Sequence, residues 1–307
     1  MREVILSILL FAVLAPALFA SDNAGSATYQ FLKFDPSARS AAMGSAFSGL
    51  ADDASAVSSN PGGCAFLKKK QIMGNFGYYF AGITGGNIAF TTPIRKNQTI
   101  VSGVNFINYG KLDETDETGK VIGTFSPFDI AIGIGYSQKL GRKLGIGGAG
   151  KFILSSIKNY TSYGFAADFG ALLRVGTRTR VGVAVLNAGF QSKGYTSGHK
   201  DPLPLTVRLG ASHRLKGLPA IFTGELLKEY DDDIRFRLGA ETTSLKPFFA
   251  RIGYAYMQKP ETDELKDNTQ GITAGIGYEN KKLGINYSYS LYGVLGGVHR
   301  ITLFYGL

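Results

Sequence analysis

Tryptophan is absent from this sequence of 307 residues, which contains only one cysteine and three histidines. The single cysteine, Cys64, excludes an intrachain disulfide, and we interpret it as a small apolar packing residue. His199, His213 and His299 have neither the spacing of metal ligands nor a neighbouring nucleophile pattern. We therefore predict no metal site, no cofactor and no enzymatic activity.

Long apolar runs are missing after residue 20. Residues 1–20 combine Arg2, an apolar run and small residues before Ser21, which predicts a secretory signal peptide. No later run approaches the ~18 residues of a membrane-spanning helix. The segment "GIGGAGKF" fits Gly-x4-Gly-Lys, but Phe152 stands where a phosphate loop needs Ser or Thr. The formal net charge is +10, yet no basic block or stacking motif supports nucleic-acid binding.

Glycine, phenylalanine and tyrosine are abundant, with 41, 21 and 16 residues. From Gln71 onward, apolar and polar residues alternate: in "DIAIGIGYSQKL", Ile132, Ile134 and Tyr136 share one face, and small or polar residues share the other. A period of two indicates strands. We predict fourteen of them, at 71–81, 85–94, 98–109, 126–139, 143–156, 163–175, 178–189, 204–215, 219–229, 233–243, 247–258, 269–279, 282–292 and 298–306.

The number and the connections of these strands favour a barrel. An even strand number and lengths of ~9–11 residues or more suit an outer-membrane β-barrel. Alternate connections are short and basic ("RKN", "GRK", "GTR", "KGLP", "SLK" and "ENK"), as expected of periplasmic turns, whereas most others are longer. We expect an all-β fold, a 14-stranded antiparallel transmembrane barrel over residues 68–307, surrounded by outer-membrane lipids and lipopolysaccharide of a diderm bacterium. A secreted soluble β-sandwich that binds a surface polymer is the alternative, because alternation also fits that fold.

Two sets of residues are predicted to face the lumen. One wall carries the glycines Gly133, Gly135, Gly145 and Gly147, which permit close approach of another backbone. Opposite charges at nearby heights line the other wall, at Arg208, Glu225, Arg235, Arg237, Glu241 and Arg251. These charges either form a functional ladder for a solute, or brace the lumen and hold the N-terminal segment.

The stretch "SGLADDASAVSSNPGGCAFL" differs from the strands around it. Asp52 or Asp53 can cap a helix over Ala54–Ser59, and Pro61 after Asn60 turns the chain out of the helix. The next two glycines, Gly62 and Gly63, permit a sharp turn into the first strand. We predict a short capped helix that delivers the chain to the barrel rim.

The run "FLKFDPSARSAAMGSAFSGLADDASAVSSNPGGCAFL" and the ending "GVHRITLFYGL" resemble the PorV/PorQ branch of the FadL-like outer-membrane proteins. The matching positions are Ala38-Arg39, Met43-Gly44, Asp52-Asp53 and Asn60-Pro61-Gly62-Gly63. Gly62 replaces the usual Ala, and Leu307 stands where an aromatic residue commonly ends such barrels. The resemblance implies a fourteen-stranded barrel with an N-terminal helical hatch in the lumen, here residues 21–67. In it, Arg39 would pair with a lumen carboxylate such as Glu225 or Glu241.

This resemblance implies two possible functions. PorV-like proteins act in protein export or surface presentation by type IX secretion, so exported proteins or secretion components would be the partners. FadL-like proteins are passive channels for hydrophobic solutes, so a hydrophobic solute would be the partner. The sequence motifs favour the PorV/PorQ function, with the FadL-like channel as the alternative.

Overall fold

The computed structural model describes residues 25–256, 269–280 and 282–307. The predicted signal peptide, residues 1–20, lies outside the described residues, as does most of the predicted loop 259–269. Among the described residues, no helix has both the length and the apolar character needed to cross a membrane.

Fourteen strands form one closed antiparallel barrel, which confirms the predicted fold. The barrel closes where the first strand pairs with the last, from Gln71 opposite Gly306 to Tyr78 opposite His299. The strands are β1 (Gln71–Tyr78), β2 (Thr84–Arg95), β3 (Gln98–Asn108), β4 (Leu112–Thr115), β5 (Val121–Phe125), β6 (Phe128–Leu140), β7 (Leu144–Ile157), β8 (Tyr160–Val175), β9 (Thr179–Lys193), β10 (Thr206–Arg214), β11 (Ala220–Glu229), β12 (Arg235–Thr242), β13 (Phe248–Ala255), β14 (Ile272–Glu279), β15 (Leu283–Leu291) and β16 (Gly297–Gly306).

Two features differ from the sequence prediction. Strands β4 and β5 form a separate two-stranded hairpin in the connection between β3 and β6, where the polar sequence predicts a loop. The soluble β-sandwich alternative is wrong, because one sheet closes on itself instead of packing against a second sheet.

Large apolar side chains point outward from the barrel, and small or polar side chains point inward. On β6, Ile134 is 68% exposed, whereas Ala131 and Ser137 are 1% and 0% exposed. On β14, Ile276 is 66% exposed. An apolar outer face suits lipid, because burying large apolar surface away from water is favourable.

The connections divide the barrel into two rims. Six connections at one rim join β2–β3, β6–β7, β8–β9, β10–β11, β12–β13 and β14–β15 by short turns, and we name this end the short-turn rim. The opposite end, the long-loop rim, carries the β4–β5 hairpin and residues 194–205. One connection there, between β7 and β8, is also short.

Residues 26–67, hereafter the hatch, lie inside the barrel. The hatch begins near the long-loop rim, where the Thr28 amide donates to the Pro202 carbonyl, and it leads into β1 at the short-turn rim. Its only α-helix among the described residues is α1 (Ala38–Ala42), and its 3-10 helices span Gln30–Lys33, Ala54–Ser58 and Pro61–Phe66. The helix predicted over Ala54–Ser59 is therefore a 3-10 helix. Two more 3-10 turns, Phe80–Gly82 and Gly293–Leu295, lie in long-loop connections.

Candidate functional site

The hatch lies against a track of glycines on the lumen wall. A Cβ atom at any of these positions would come within 3.0 Å of a hatch atom, closer than real Cβ atoms come. At Gly147 and Gly239 it would lie 2.6 Å and 2.5 Å from the carbonyl oxygens of Pro61 and Met43. Glycine is needed here because hatch atoms, most of them backbone atoms, lie directly against the backbone of the wall. The track consists of Gly145, Gly147, Gly170, Gly182, Gly210, Gly239, Gly253 and Gly275.

The predicted glycine wall is thus only partly the surface that holds the hatch. Gly145 and Gly147 contact the hatch, but the closest atoms to Gly133 and Gly135 belong to neighbouring strands. Most of the track lies on β8 to β14, where Gly182 faces Gly210 and Gly239 faces Gly253 across adjacent strands. Sequence alternation places such residues inward, yet it does not show which inward glycines touch the hatch.

Asn60 fastens the second half of the hatch to itself and to the wall. Its side chain is completely buried, and its Nδ2 donates to the carbonyls of Ser48, at 2.8 Å, and of Ala171 on β8, at 3.0 Å. Its Oδ1 accepts from the amide of Gly62 at 3.0 Å and caps the 3-10 helix Pro61–Phe66. Pro61 is the first residue of that helix, where its missing N–H costs nothing.

Gly62 and Gly63 do not form the predicted sharp turn. Both lie within the 3-10 helix, and neither has a positive φ angle. A Cβ at Gly62 would lie 2.7 Å from the Gly170 carbonyl oxygen, and one at Gly63 would collide with Ala51. These glycines are needed for close packing instead of an unusual backbone conformation.

The two adjacent aspartates have different roles. Asp53 is the N-cap of the 3-10 helix Ala54–Ser58, and its Oδ1 accepts from the amide of Ser55 at 2.9 Å. Asp52 does not cap the helix. It accepts from Arg39 at 2.8 Å and from Arg180 on β9 at 3.1 Å.

Arg39 is the centre of a charged cluster near the short-turn rim, which we name the short-turn cluster. Its guanidinium donates to both oxygens of Glu241 at 2.8 Å, and also to Asp52 and Asp53 at 2.8 Å each. Glu241 accepts a further bond from Arg251 at 2.7 Å. Burial opposes the charged form of Arg39, but Asp52 and Glu241 outweigh it and raise the pKa of Arg39 well above its usual range. Bidentate contacts of this kind combine strength with directional specificity.

The other predicted lumen charges form two more clusters. In the middle cluster, Glu225 lies 3.7 Å from Arg208 and 3.5 Å from Arg237, and it accepts from the hatch amide of Ser48 at 2.9 Å. In the long-loop cluster, Arg235 pairs with Glu229. Lys33 of the hatch lies 3.4 Å from Glu229 and 2.5 Å from Asp231.

Asp231, in the β11–β12 connection, accepts hydrogen bonds from two side chains of the hatch. Burial opposes its ionisation, but hydrogen bonds from Lys33 and Gln30 outweigh burial and hold the pKa of Asp231 below its usual range. All three charged clusters thus contact the hatch, at three heights along one wall. These contacts favour the interpretation that the charges hold the N-terminal segment, and that role stays a prediction.

Several inward charges were not among the predicted residues. Lys151 on β7 lies 2.6 Å from Asp168 on β8, which is completely buried. Arg300 on β16 is 3% exposed and donates to Ser290 at 3.0 Å. Applying the same inward alternation to β7, β8 and β16 would have found them, because each occupies an inward position of its strand.

The first part of the hatch fills an apolar pocket near the long-loop rim, hereafter the aromatic pocket. Tyr29 and Phe31 are each 4% exposed there, and they pack with Ile107, Ala131, Ile153, Ala166 and Leu203. The Tyr29 hydroxyl lies 2.5 Å from the Ser162 hydroxyl. Burial raises the pKa of Tyr29, which therefore stays a neutral hydrogen-bonding group. The pocket has an apolar lining with hydroxyl groups at its edge, which suits a hydrophobic ring.

Two cavities adjoin the hatch. A cavity of about 370 Å³ opens at the short-turn rim between Arg39, Glu241 and Glu279. A second of about 20 Å³ lies beside Phe31, Phe34 and Ile107, next to the aromatic pocket. Among the described residues, no group of three His, Cys, Asp or Glu side chains could hold a metal ion.

The fold has counterparts among solved structures, although no family model and no curated protein matches the sequence. The toluene transporter TodX of P. putida aligns with a TM-score of 0.59 and 11% identity, over 83% of this chain and 94% of TodX. The monoaromatic hydrocarbon channel CymD aligns with a TM-score of 0.61 and 11% identity, over 87% and 96% of the two chains. A Pseudomonas aeruginosa FadL homologue aligns with a TM-score of 0.52 and 12% identity, over 85% of this chain and 95% of the homologue.

This chain has the fold of those channels. At such low identity the similarity establishes the architecture alone. It agrees with the FadL-like part of the sequence resemblance, and the PorV/PorQ part stays a prediction.

Proposed function

We propose that this protein is a passive outer-membrane channel for small hydrophobic solutes, closed at rest by the hatch. The observation that carries the proposal is the aromatic pocket, which the hatch fills with its own Tyr29 and Phe31. A hydrophobic solute that displaces these rings would bury a similar apolar surface. Replacing the rings by the solute would therefore change the free energy little. The named activities of TodX and CymD, toluene transport and monoaromatic hydrocarbon conduction, support the same class of solute.

The proposed route requires the hatch to move, because the hatch lies against the glycine track and blocks the lumen. Its contacts with the wall are non-covalent, so movement needs no bond cleavage. Solute would enter the aromatic pocket near the long-loop rim and leave through the cavity that opens beside Arg39. The charged clusters would keep the hatch in place until solute occupies the pocket.

The test is uptake of a labelled monoaromatic hydrocarbon by intact cells whose own hydrophobic-solute channels are deleted. A lock can be made between Val57 of the hatch and Gly103 of β3, because a Cβ at Gly103 would lie 3.9 Å from Val57 Cγ1. In a Cys64→Ala background, oxidised Val57→Cys/Gly103→Cys protein should give no uptake above cells without the protein. Reduction should restore uptake. Equal uptake in the oxidised and reduced states would contradict the proposal.

Surface presentation or export of proteins, the PorV/PorQ function, is the second candidate. The motifs at Arg39, Asp52-Asp53 and Asn60-Pro61 support it, together with the β4–β5 hairpin, whose Val121 and Ile122 are 53% and 59% exposed. It predicts that the purified protein retains exported proteins or secretion components in pull-downs. Deletion of residues 112–125 should then abolish capture and leave hydrocarbon uptake unchanged.

A further inference from the structure

The short-turn rim carries a collar of basic side chains around its circumference. Every described turn at this rim contains at least one exposed Lys or Arg, and none contains Asp or Glu. The segment that enters β1 adds three consecutive lysines. The basic collar consists of Lys68, Lys69, Lys70, Arg95, Lys96, Arg142, Lys143, Arg178, Arg214, Lys216, Lys246 and Lys282.

The charges of the basic collar are not neutralised by the protein. Within the described residues, no collar side chain forms an ion pair, whereas the lumen charges of β10 to β13 are paired. The long-loop rim has a different composition, in which lysines alternate with acidic residues such as Asp116, Glu117 and Asp232. The excess positive charge of the protein is therefore concentrated at one rim.

Each short turn also places a large apolar side chain beside its cation. Ile94 adjoins Arg95 and is 48% exposed, and Leu245 adjoins Lys246 and is 53% exposed. Leu215 and Leu283 likewise adjoin collar cations, and Leu140 and Val175 lie two and three residues before Arg142 and Arg178; these four side chains are 38–55% exposed. Apolar side chains beside cations suit the boundary between acyl chains and head groups. The apolar side chain and the methylene stem of the Lys or Arg contact acyl chains, while the charged group reaches the lipid phosphates.

An apolar groove on the outer face ends at this collar. It has a volume of about 720 Å³ and extends from Thr179 and His213 to Tyr254 and Ile272. Small residues such as Ala211 and Gly224 form its floor. Thr179 and His213 each adjoin a collar cation in sequence, so a chain lying in the groove would have its head group beside Arg178 and Arg214.

We propose that the basic collar binds the phosphate groups of anionic phospholipids in the leaflet at the short-turn rim. Free cations lie in every described turn, and a ring of this kind matches a shell of lipids around the barrel. A single docked acidic protein would need only a local patch. The adjacent apolar side chains and the groove also favour lipid over an acidic protein, because both offer contacts to acyl chains.

The test measures lipid selectivity of the full chain folded into phosphatidylcholine vesicles. Electron spin resonance of spin-labelled phosphatidylglycerol and phosphatidylcholine gives the relative association of each lipid with the protein. We expect phosphatidylglycerol to associate at least about twofold more strongly at low salt, because each basic residue attracts an anionic head group. The preference should fall toward one at about 1 M salt, where the Debye length is about 3 Å. This salt dependence is measured on the unaltered protein and needs no variant.

Matched variants locate the effect. Arg178→Gln/Lys216→Gln/Lys246→Gln should lose most of the preference, whereas Lys111→Gln/Lys120→Gln/Lys200→Gln, at the long-loop rim, should retain it. Folding of each is checked by its heat-dependent migration in gels. Equal association of the two lipids with the unaltered protein would overturn the proposal, as would equal losses in both variants. Polyglutamate binding that needs the collar, in a protein without lipid preference, would identify the collar as a protein-docking surface instead.

Discussion

The two ends of the hatch are held by different physical interactions. Near the long-loop rim, Tyr29 and Phe31 occupy an apolar pocket edged by hydroxyl groups, with Lys33 as the adjacent charged contact. Near the short-turn rim, Arg39 and Asn60 make buried directional bonds to several partners. A hydrophobic solute can replace the first set of contacts but not the second. We infer that residues 26–37 are the exchangeable end of the hatch, which the solute displaces first. Residues 38–67 are its anchor, which opens only briefly during each passage, and the lock between Val57 and Gly103 prevents that opening.

The largest effect is expected from blocking the glycine track. In Gly182→Val, the new side chain would collide with the Ser48 carbonyl, and it would also lie 2.7 Å from Asn60 Nδ2. Since backbone atoms cannot move aside cheaply, seating of the anchor should be weakened by more than about 3 kcal/mol. Hydrogen exchange should then be fast across residues 38–67, with the barrel strands still protected. The control is Gly150→Val, which has open space. Slow hydrogen exchange of residues 38–67 in Gly182→Val would contradict the claim that the glycine track seats the anchor.

Removing the charge at the anchor should have the next largest effect. Arg39→Met removes the cation that Glu241, Asp52 and Asp53 share, while Glu241 keeps Arg251 and Asp52 keeps Arg180. Anchor docking should therefore weaken by about 1.5–3 kcal/mol, the range for hydrogen bonds to charged groups. Single-channel recording in planar bilayers should show openings that are rare in the unaltered protein. Arg178→Met, at an exposed position, is the matched control. If both variants conduct alike, the short-turn cluster does not hold the anchor.

Asn60→Ala should weaken the anchor to a lesser degree. The change removes two donated bonds and one accepted bond while leaving the chain path unchanged. Buried groups left without partners cost about 1–3 kcal/mol. Limited proteolysis of the hatch should become faster, with Asn159→Ala, at an exposed turn, unaffected. Unchanged assembly, proteolysis and conductance would make this segment a simple linker.

The smallest effect is expected at the exchangeable end. Tyr29→Phe removes the hydroxyl contact with Ser162 and keeps the ring in the aromatic pocket. Loss of about 0.5–1.5 kcal/mol should speed hydrogen exchange of residues 26–37 about two- to tenfold and leave residues 38–67 unchanged. Tyr160→Phe, at an exposed ring, serves as the control. Faster exchange in both parts would show that the two ends are not independent.

The barrel was more predictable from sequence than the hatch for a physical reason. Each strand must satisfy the same two-sided environment, so residues such as Ile132, Ile134 and Ser137 report their faces by simple alternation. The hairpin β4–β5 lies outside that environment and carries no such pattern. In the hatch, packing against the wall decides the local structure.

The same reason explains which site residues were misassigned. Asp52 and Asp53 are equivalent caps in sequence, and only the folded structure separates their roles, since Asp52 pairs with Arg180 and Asp53 accepts from the Ser55 amide. Gly62 and Gly63 suggest a turn because glycine permits one, yet Gly62 is needed for close contact with the wall and Gly63 for close contact with Ala51 of the hatch. The pairing of Arg39 with Glu241 could be proposed from the resemblance, whereas its further bonds depend on the folded path of the hatch.

Hydrogen exchange measured with and without a monoaromatic hydrocarbon tests the central claim most directly. The full chain, folded in lipid vesicles, is compared at saturating toluene and in its absence, and hatch peptides are followed by mass spectrometry. The account predicts faster exchange of residues 26–37 with toluene, because the solute replaces Tyr29 and Phe31, and slow exchange of residues 38–67 in both conditions. Exchange of residues 26–37 that does not change with toluene would contradict it.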